Sequence, residues 1–143
     1  MKISTKGRYA LRMMTDLAQN RAKGFIPLKE IAERQGISKK YMELIVSSFH
    51  DSGLINAGRG FQGGYQLAKA PDQITVGEIL RATEGSLAPV ACLENPPQGC
   101  ERRGECPTLF IWQELDRRIE AYLDSVTLQD ILDRQAASFD YMI

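Results

Sequence analysis

All three cysteines of the 143-residue chain, Cys92, Cys100 and Cys106, fall within fifteen residues, in the segment PVACLENPPQGCERRGECPT. Cysteines gathered in a stretch rich in Pro, Gly and Glu are poorly placed for a core and well placed as soft metal ligands. Thiolates on a loop can wrap a compact iron–sulfur core. Structural zinc favours paired Cys-x2–4-Cys spacings and four protein ligands. Here the spacing is Cys-x7-Cys-x5-Cys, which suits zinc less well and leaves one ligand to be found. A carboxylate (Glu84, Glu94, Glu101 or Glu105), a second subunit or a small exogenous ligand could supply it. The only histidine, His50, is far away in sequence. An odd number of cysteines also argues against a closed disulfide framework.

A second group of residues suggests a polyanionic partner. Residues 1–70 hold 12 Lys and Arg against 5 Asp and Glu, whereas residues 71–143 hold 6 against 13, so a net charge of zero hides halves of +7 and −7. A basic half is the electrostatic footprint of a nucleic-acid binder. Within it, Ser38, Lys39, Lys40, Tyr41 and Met42 open an expected helix, with Glu43 one turn in. Lysines there can contact phosphates or guanine acceptors, and Ser38 can cap the helix, touch phosphate, or both. A carboxylate near DNA repels phosphate and accepts a bond from cytosine N4 only where the right base lies opposite. Glu43 is therefore a candidate sequence filter, with a solvated helix charge as the competing reading. Arg59, between Gly58 and Gly60, suits a narrow minor groove; a tight hairpin with an exposed arginine is the alternative. Arg8 is a candidate phosphate contact or a plain surface charge.

The elements that must position these residues are legible from periodicity. Residues 4 to about 20 read as a helix, with Tyr9, Ala10, Met13, Met14, Leu17 and Ala18 on one side and Arg8, Arg12 and Asp16 on the polar side. LKEIAERQ (28–35) is a short amphipathic helix. Gly36-Ile37-Ser38 is a turn closed by a good N-cap, and a helix over 39–52 carries Tyr41, Leu44, Ile45 and Phe49 inward. Two short helices about a glycine turn form a helix-turn-helix. Apolar runs at 54–57 and 65–68 flank a glycine-rich turn, a β-hairpin that makes the unit a winged helix. Thr75-Val-Gly-Glu78 matches a capping box and opens a helix to about Thr83. After an irregular loop, residues 108–126 form the longest helix. Its stripe of Leu109, Trp112, Leu115, Ile119, Tyr122 and Val126 is close to a heptad seam and points to a homodimer. A short helix from Thr127 and an apolar tail follow. The expected fold is mainly α with a small β-hairpin wing. A winged helix-turn-helix DNA-binding domain spans 1–84, a cysteine-containing loop 85–107, and a dimerisation helix with its tail 108–143.

Several classes drop out. No apolar run approaches the roughly 18 residues of a membrane span, and the start MKISTKGRYALRMM lacks a signal core. A cytoplasmic protein with reduced thiols and no membrane partner is expected. One histidine, no phosphate-binding Gly-Lys-Ser/Thr loop and no serine elbow leave no catalytic set, so no enzyme is expected.

STKGRYALRMM, IPLKEIAERQGISKKYMELI, GLINAGRGFQGGYQL, ITVGEILRATEG, and then three cysteines before a Trp-containing long helix occur in this order. In that arrangement the chain resembles the Rrf-two family of bacterial winged-helix regulators, and most of all its iron–sulfur cluster regulator (IscR-like) group. The likeness runs from residue 1 to about 134. It implies a homodimeric repressor of palindromic or pseudo-palindromic promoter DNA, with a 2Fe-2S cluster on Cys92, Cys100 and Cys106; 4Fe-4S is the alternative. It also implies that Glu43 changes which DNA class is bound as the cluster is loaded or lost. Two departures stand out. Leu109 occupies the position where the best-known members carry a histidine as fourth ligand. The first two cysteines are also further apart here, as in members that respond to iron. The alternative within the same fold is a thiol- or zinc-switched regulator, or a cysteine-metabolism (CymR-like) one with a cysteine-biosynthesis enzyme as partner. The chain's start and its aromatic, Met-containing end resemble the CymR-like relative. That relative lacks the cysteine loop, so the loop favours cluster sensing.

Overall fold

In the computed structural model, which describes residues 1–60, 63–94 and 103–142, helix α1 (Thr5–Gln19) begins where extended Ser4 accepts a hydrogen bond from the Gly7 N–H at 3.0 Å. That bond satisfies one of the free donors of the first turn. Ala10, Met13, Met14, Leu17 and Ala18 are buried along one side of α1 and form the centre of the core. Helix α2 (Leu28–Gln35) follows Pro27 and buries Leu28, Ile31 and Ala32. It ends at Gly36, whose φ of +64° is the left-handed conformation that glycine adopts without strain. The Ile37 N–H then returns to the Ala32 carbonyl at 3.0 Å.

Helix α3 (Lys39–Ser47) is capped by Ser38, whose hydroxyl accepts from the Tyr41 N–H at 3.1 Å. The helix is shorter than its sequence suggests, because residues 48–52 continue as turns. Serine hydroxyls compete with the helical ladder there: Ser47 donates to the Leu44 carbonyl at 2.6 Å and Ser52 to the Phe49 carbonyl at 2.8 Å. The buried side also differs. Met42, Ile45 and Phe49 are buried, Tyr41 is half-buried, and Leu44 is 52% exposed. Met42, expected at base edges, therefore belongs to the core, and Leu44, expected inward, faces out. Met42, Ile45 and Phe49 share one helix face at steps of three and four.

Strands β1 (Ile55–Gly58) and β2 (Gly64–Leu67) pair antiparallel with Ile55 opposite Leu67 and Gly58 opposite Gly64. Ile26 joins the hairpin through mutual 2.9 Å bonds with Tyr65. A Cβ at Gly64 would lie 2.2 Å from the Ile26 carbonyl oxygen, so only glycine allows this approach. Phe61 and Gln62, between the two strands in sequence, lie outside the described residues.

Helix α4 (Val76–Glu84) opens with the expected capping box: Glu78 N–H donates to the Thr75 hydroxyl at 3.1 Å, and Thr75 N–H to the Glu78 carboxylate at 3.4 Å. Helix α5 spans Leu109–Ser125. Helix α6 is not short: it spans Leu128–Met142 and takes in most of the apolar tail. Thr127 and Asp130 cap it reciprocally, at 2.9 and 3.1 Å. The starts of α4 and α6 are tied together by Val76 N–H to Val126 carbonyl (2.8 Å) and Leu128 N–H to Ile74 carbonyl (3.0 Å). Leu128 is fully buried in the core built around α1. A smaller apolar cluster, Val76, Leu80 and Leu87 with Ile3, Leu123 and Val126 against it, joins α4, the start of the cysteine segment and the end of α5. Among the described residues no helix is long and apolar enough to cross a membrane.

Asp16 does not lie on a solvated face as its sequence position suggests; it is 1% exposed. Arg34 grips its two oxygens at 2.7 and 3.0 Å, and the Gln35 amide adds a 2.9 Å bond. A bidentate guanidinium is the geometry that compensates a buried carboxylate. Hydrogen bonds to Asp16 and then to Glu30 hold the Arg34 guanidinium well above its ordinary pKa, against the opposing effect of burial. This pair locks α2 onto α1.

Candidate nucleic-acid interface and cysteine segment

The outward face of α3 presents Lys39, Lys40, Glu43, Leu44 and Ser47 to solvent. Ser38 is exposed and its hydroxyl oxygen is occupied as the N-cap. Tyr41 has a second role. Its ring meets Tyr9 edge-on, with centroids 5.9 Å apart and planes at 82°. The Arg12 guanidinium stands 5.1 Å from the Tyr9 ring and donates to the Gln35 carbonyl at 2.5 Å and side-chain oxygen at 3.1 Å. Edge-to-face rings and a cation over a ring face are favourable arrangements. Together they join α1 to the first turn of α3 and to the end of α2. Sequence reasoning missed this Tyr9–Arg12–Tyr41 set; the i, i+3 spacing of an aromatic and an arginine on α1 was the available signal.

The wing holds Arg59 exposed beside Gly60. A groove of about 500 Å³ separates α3 from the hairpin, lined by Glu43, Val46, Ser47, Phe49, His50, Ile55, Ala57 and Tyr65. Glu43 thus borders the groove between α3 and the hairpin. His50 lies in the turn after α3, not within the helix, and is exposed. Arg8 is exposed on α1 and donates to the Thr5 hydroxyl at 3.0 Å. With Arg12 it borders a different groove, between α1, the end of α2 and α6.

Cys92 sits in a single 3-10 turn (Ala91–Leu93), and Cys106 follows another (Arg103–Glu105) just before α5. Both are free thiols, half-buried and outside the core. The Thr108 hydroxyl lies 3.4 Å from the Cys106 sulfur. That bond, with a lesser one from the Thr108 backbone, lowers the Cys106 pKa toward the thiolate form. Cys100 and Glu101 lie outside the described residues. Among the described residues no three His, Cys, Asp or Glu side chains converge on one point. Glu84 is committed elsewhere: its carboxylate accepts the Ser4 N–H at 2.9 Å and the Ser4 hydroxyl at 2.5 Å, bracing the cap of α1. Leu109 is the first residue of α5 and is half-buried. The donor chemistry on either side of the undescribed stretch is two unpaired thiols, one biased to thiolate, as a soft metal or cluster requires.

Helix α5 buries none of its side chains completely. Phe110 is 69% exposed, Tyr122 68%, and Ile111 and Leu115 are exposed as well. At its far end Asp124 receives the Arg81 guanidinium at 2.9 and 2.7 Å. The pairing lowers the Asp124 pKa and raises that of Arg81. On α5 itself, hydrogen bonds from Arg117 and then Arg118 bring the exposed Glu114 carboxyl down to about 2.

The profile of the Rrf2 family, described as an iron-dependent transcriptional regulator, matches residues 3–134. The chain is 38% identical over 132 residues to the HTH-type transcriptional regulator IscR of Aliivibrio salmonicida, covering 92% of this chain and 77% of that protein. It is similarly 38% identical over 135 residues to IscR of Erwinia tasmaniensis, covering 94% and 81%. Among solved structures, CymR, the global cysteine regulator of B. subtilis, aligns with a TM-score of 0.75 at 38% identity, over 94% of this chain and 98% of that one. IscR of T. potens aligns with a TM-score of 0.73 at 38% identity, over 94% and 88%.

Proposed function

The chain belongs to the Rrf2 family of transcriptional regulators, and we propose that it is a repressor whose grip on promoter DNA is controlled by an iron–sulfur cluster held at Cys92, Cys100 and Cys106. It is a DNA-binding regulator and not an enzyme, as its relatives are. The observation that carries the cluster reading is the state of the two described thiols. Cys92 and Cys106 are unpaired and outside the core, and Cys106 is drawn toward thiolate by Thr108. Overall likeness does not separate IscR from CymR, since both align with similar TM-scores, 0.73 and 0.75. The three clustered cysteines favour a cluster regulator over a cysteine-metabolism regulator with an enzyme partner, and the likeness to IscR makes 2Fe-2S the proposed type, with 4Fe-4S as the alternative.

Bound at those thiolates, a cluster supplies a charged centre whose presence follows iron and oxidant supply. The chain's own side chains offer two routes from that segment. Glu84, at the end of α4, braces Ser4 and so the first turn of α1, one turn before Arg8. Arg81 on α4 holds Asp124 on α5. A segment with two arrangements shifts DNA binding only through contacts that differ between them, and among the described residues these two polar contacts and the packing of Leu87 on α4 and α5 lie beside it. In this reading residues 1–84 read DNA, 85–107 sense, and 108–143 dimerise through the exposed apolar face of α5. Lys39, Lys40 and Ser38 meet phosphate or base edges, with Tyr41 orienting them. Glu43 filters sequence, Arg59 enters the minor groove from the wing, and Arg8 contacts backbone.

An anaerobic absorption spectrum with iron and sulfide counts tests the proposal directly. The expected result is a coloured protein whose chromophore disappears in Cys100→Ala, and whose promoter binding changes when the cluster is removed. A colourless, iron-free protein from an iron-replete anaerobic culture would overturn it, and stoichiometric zinc without sulfide would support a zinc switch instead.

A further inference from the structure

Leu44 stands out on the reading helix. It is 52% exposed and packs in neither of the two apolar clusters. Its neighbours on the outward face are Lys40 one turn before and Ser47 one turn after, and the Ser47 hydroxyl bonds to its carbonyl at 2.6 Å. At about 100° per residue, Lys40 and Ser47 share the middle of the exposed stripe, with Glu43 on one border and Leu44 on the other. The two border residues therefore point to opposite sides of that stripe. A half-exposed leucine in water gains when something apolar desolvates it. The floor of the DNA major groove offers one such group, the thymine 5-methyl. The two lysines at the start of the helix complement the phosphates that flank that floor.

We propose that Leu44 reads the 5-methyl group of a thymine in each half-site, so that sequence choice combines an apolar contact from Leu44 with the polar filter at Glu43. This rests on the DNA-reading role proposed for α3. The contact requires no partner but duplex DNA, and its energy scale is that of one buried carbon.

Duplexes selected from a random pool by the full-length protein, purified anaerobically, supply the probe. Each thymine is replaced singly by deoxyuridine, which removes only the methyl group, and affinity is measured by fluorescence anisotropy. The expected result is one thymine per half-site whose methyl loss weakens binding by about fourfold. Leu44→Ala and Leu44→Gln should bind the thymine and uracil duplexes equally at that position. Because Leu44 is exposed, both variants should melt with the wild type. Salt-dependent binding to selected duplexes with no methyl effect, or an unchanged methyl effect in Leu44→Ala, would overturn the role of Leu44 alone. Failure to select any duplex would overturn the DNA-reading assignment of α3 as well.

Discussion

Arg59 and Glu43 differ in the kind of free energy each can contribute to a DNA complex. An arginine on the exposed wing displaces counterions wherever phosphate is dense, whatever the sequence. A carboxylate bordering the α3–wing groove is unfavourable against most of the surface and favourable only opposite a suitable donor. Arg59→Ala should therefore weaken binding across all duplexes and reduce the slope of log K against log salt by about 1. Glu43→Ala should leave that slope alone and widen the set of duplexes recovered by selection. An Arg59→Ala effect confined to one sequence, or an unchanged site preference in Glu43→Ala, would reverse these roles. At this scale the candidate residues were legible from type and position alone. Their exposure was not. Met42 and Leu44 are both apolar and two positions apart, and only the placement of α1 beside α3 sends one inward and leaves the other out.

At the scale of elements, the join between α1 and α2 depends on a buried carboxylate, Asp16, that sequence reading placed on the surface. Asp16 sits at a helix position that suits a solvated charge, and nothing local signals that Arg34 and Gln35 will close over it. Only Asp16 is buried; Arg34 is exposed and has a second partner in Glu30, so removing Asp16 forfeits charge-assisted hydrogen bonds and leaves no buried charge behind. Asp16→Ala should cost about 2 kcal/mol in urea unfolding with an unchanged m-value, and DNA affinity should fall because α2 and α3 lose their seat on α1. A loss within experimental error would mean that Arg34 is satisfied by Glu30 and water. The capping box of α4 and the Gly36 turn, by contrast, were readable in advance, since a cap or a left-handed turn is specified within four residues. Helix lengths were less readable. The hydroxyls of Ser47 and Ser52 compete with the ladder where α3 ends early, and the short helix expected from Thr127 runs on through the apolar tail as α6.

For the whole molecule, the decisive feature is a long helix with no fully buried side chain and four large apolar residues in solvent. A surface of that kind supports the proposed pairing with a second copy of the chain. Leu115→Asp should convert a dimer to monomer in sedimentation velocity, keep its helical circular dichroism, and lose most of its affinity for a two-half-site duplex. A variant that remains dimeric would place the interface elsewhere. By itself the sequence determined the class of the protein: the winged helix, the capped helices and the thiol-rich segment each follow from caps, turns, periodicity and ligand chemistry that act over a few residues. Only the tertiary structure decided that Asp16 is buried and Leu44 bare, that Glu84 braces Ser4 across eighty positions of sequence, and that α5 is left uncovered. Burial and long-range pairing depend on which distant surface arrives against a residue, and no local pattern carries that information.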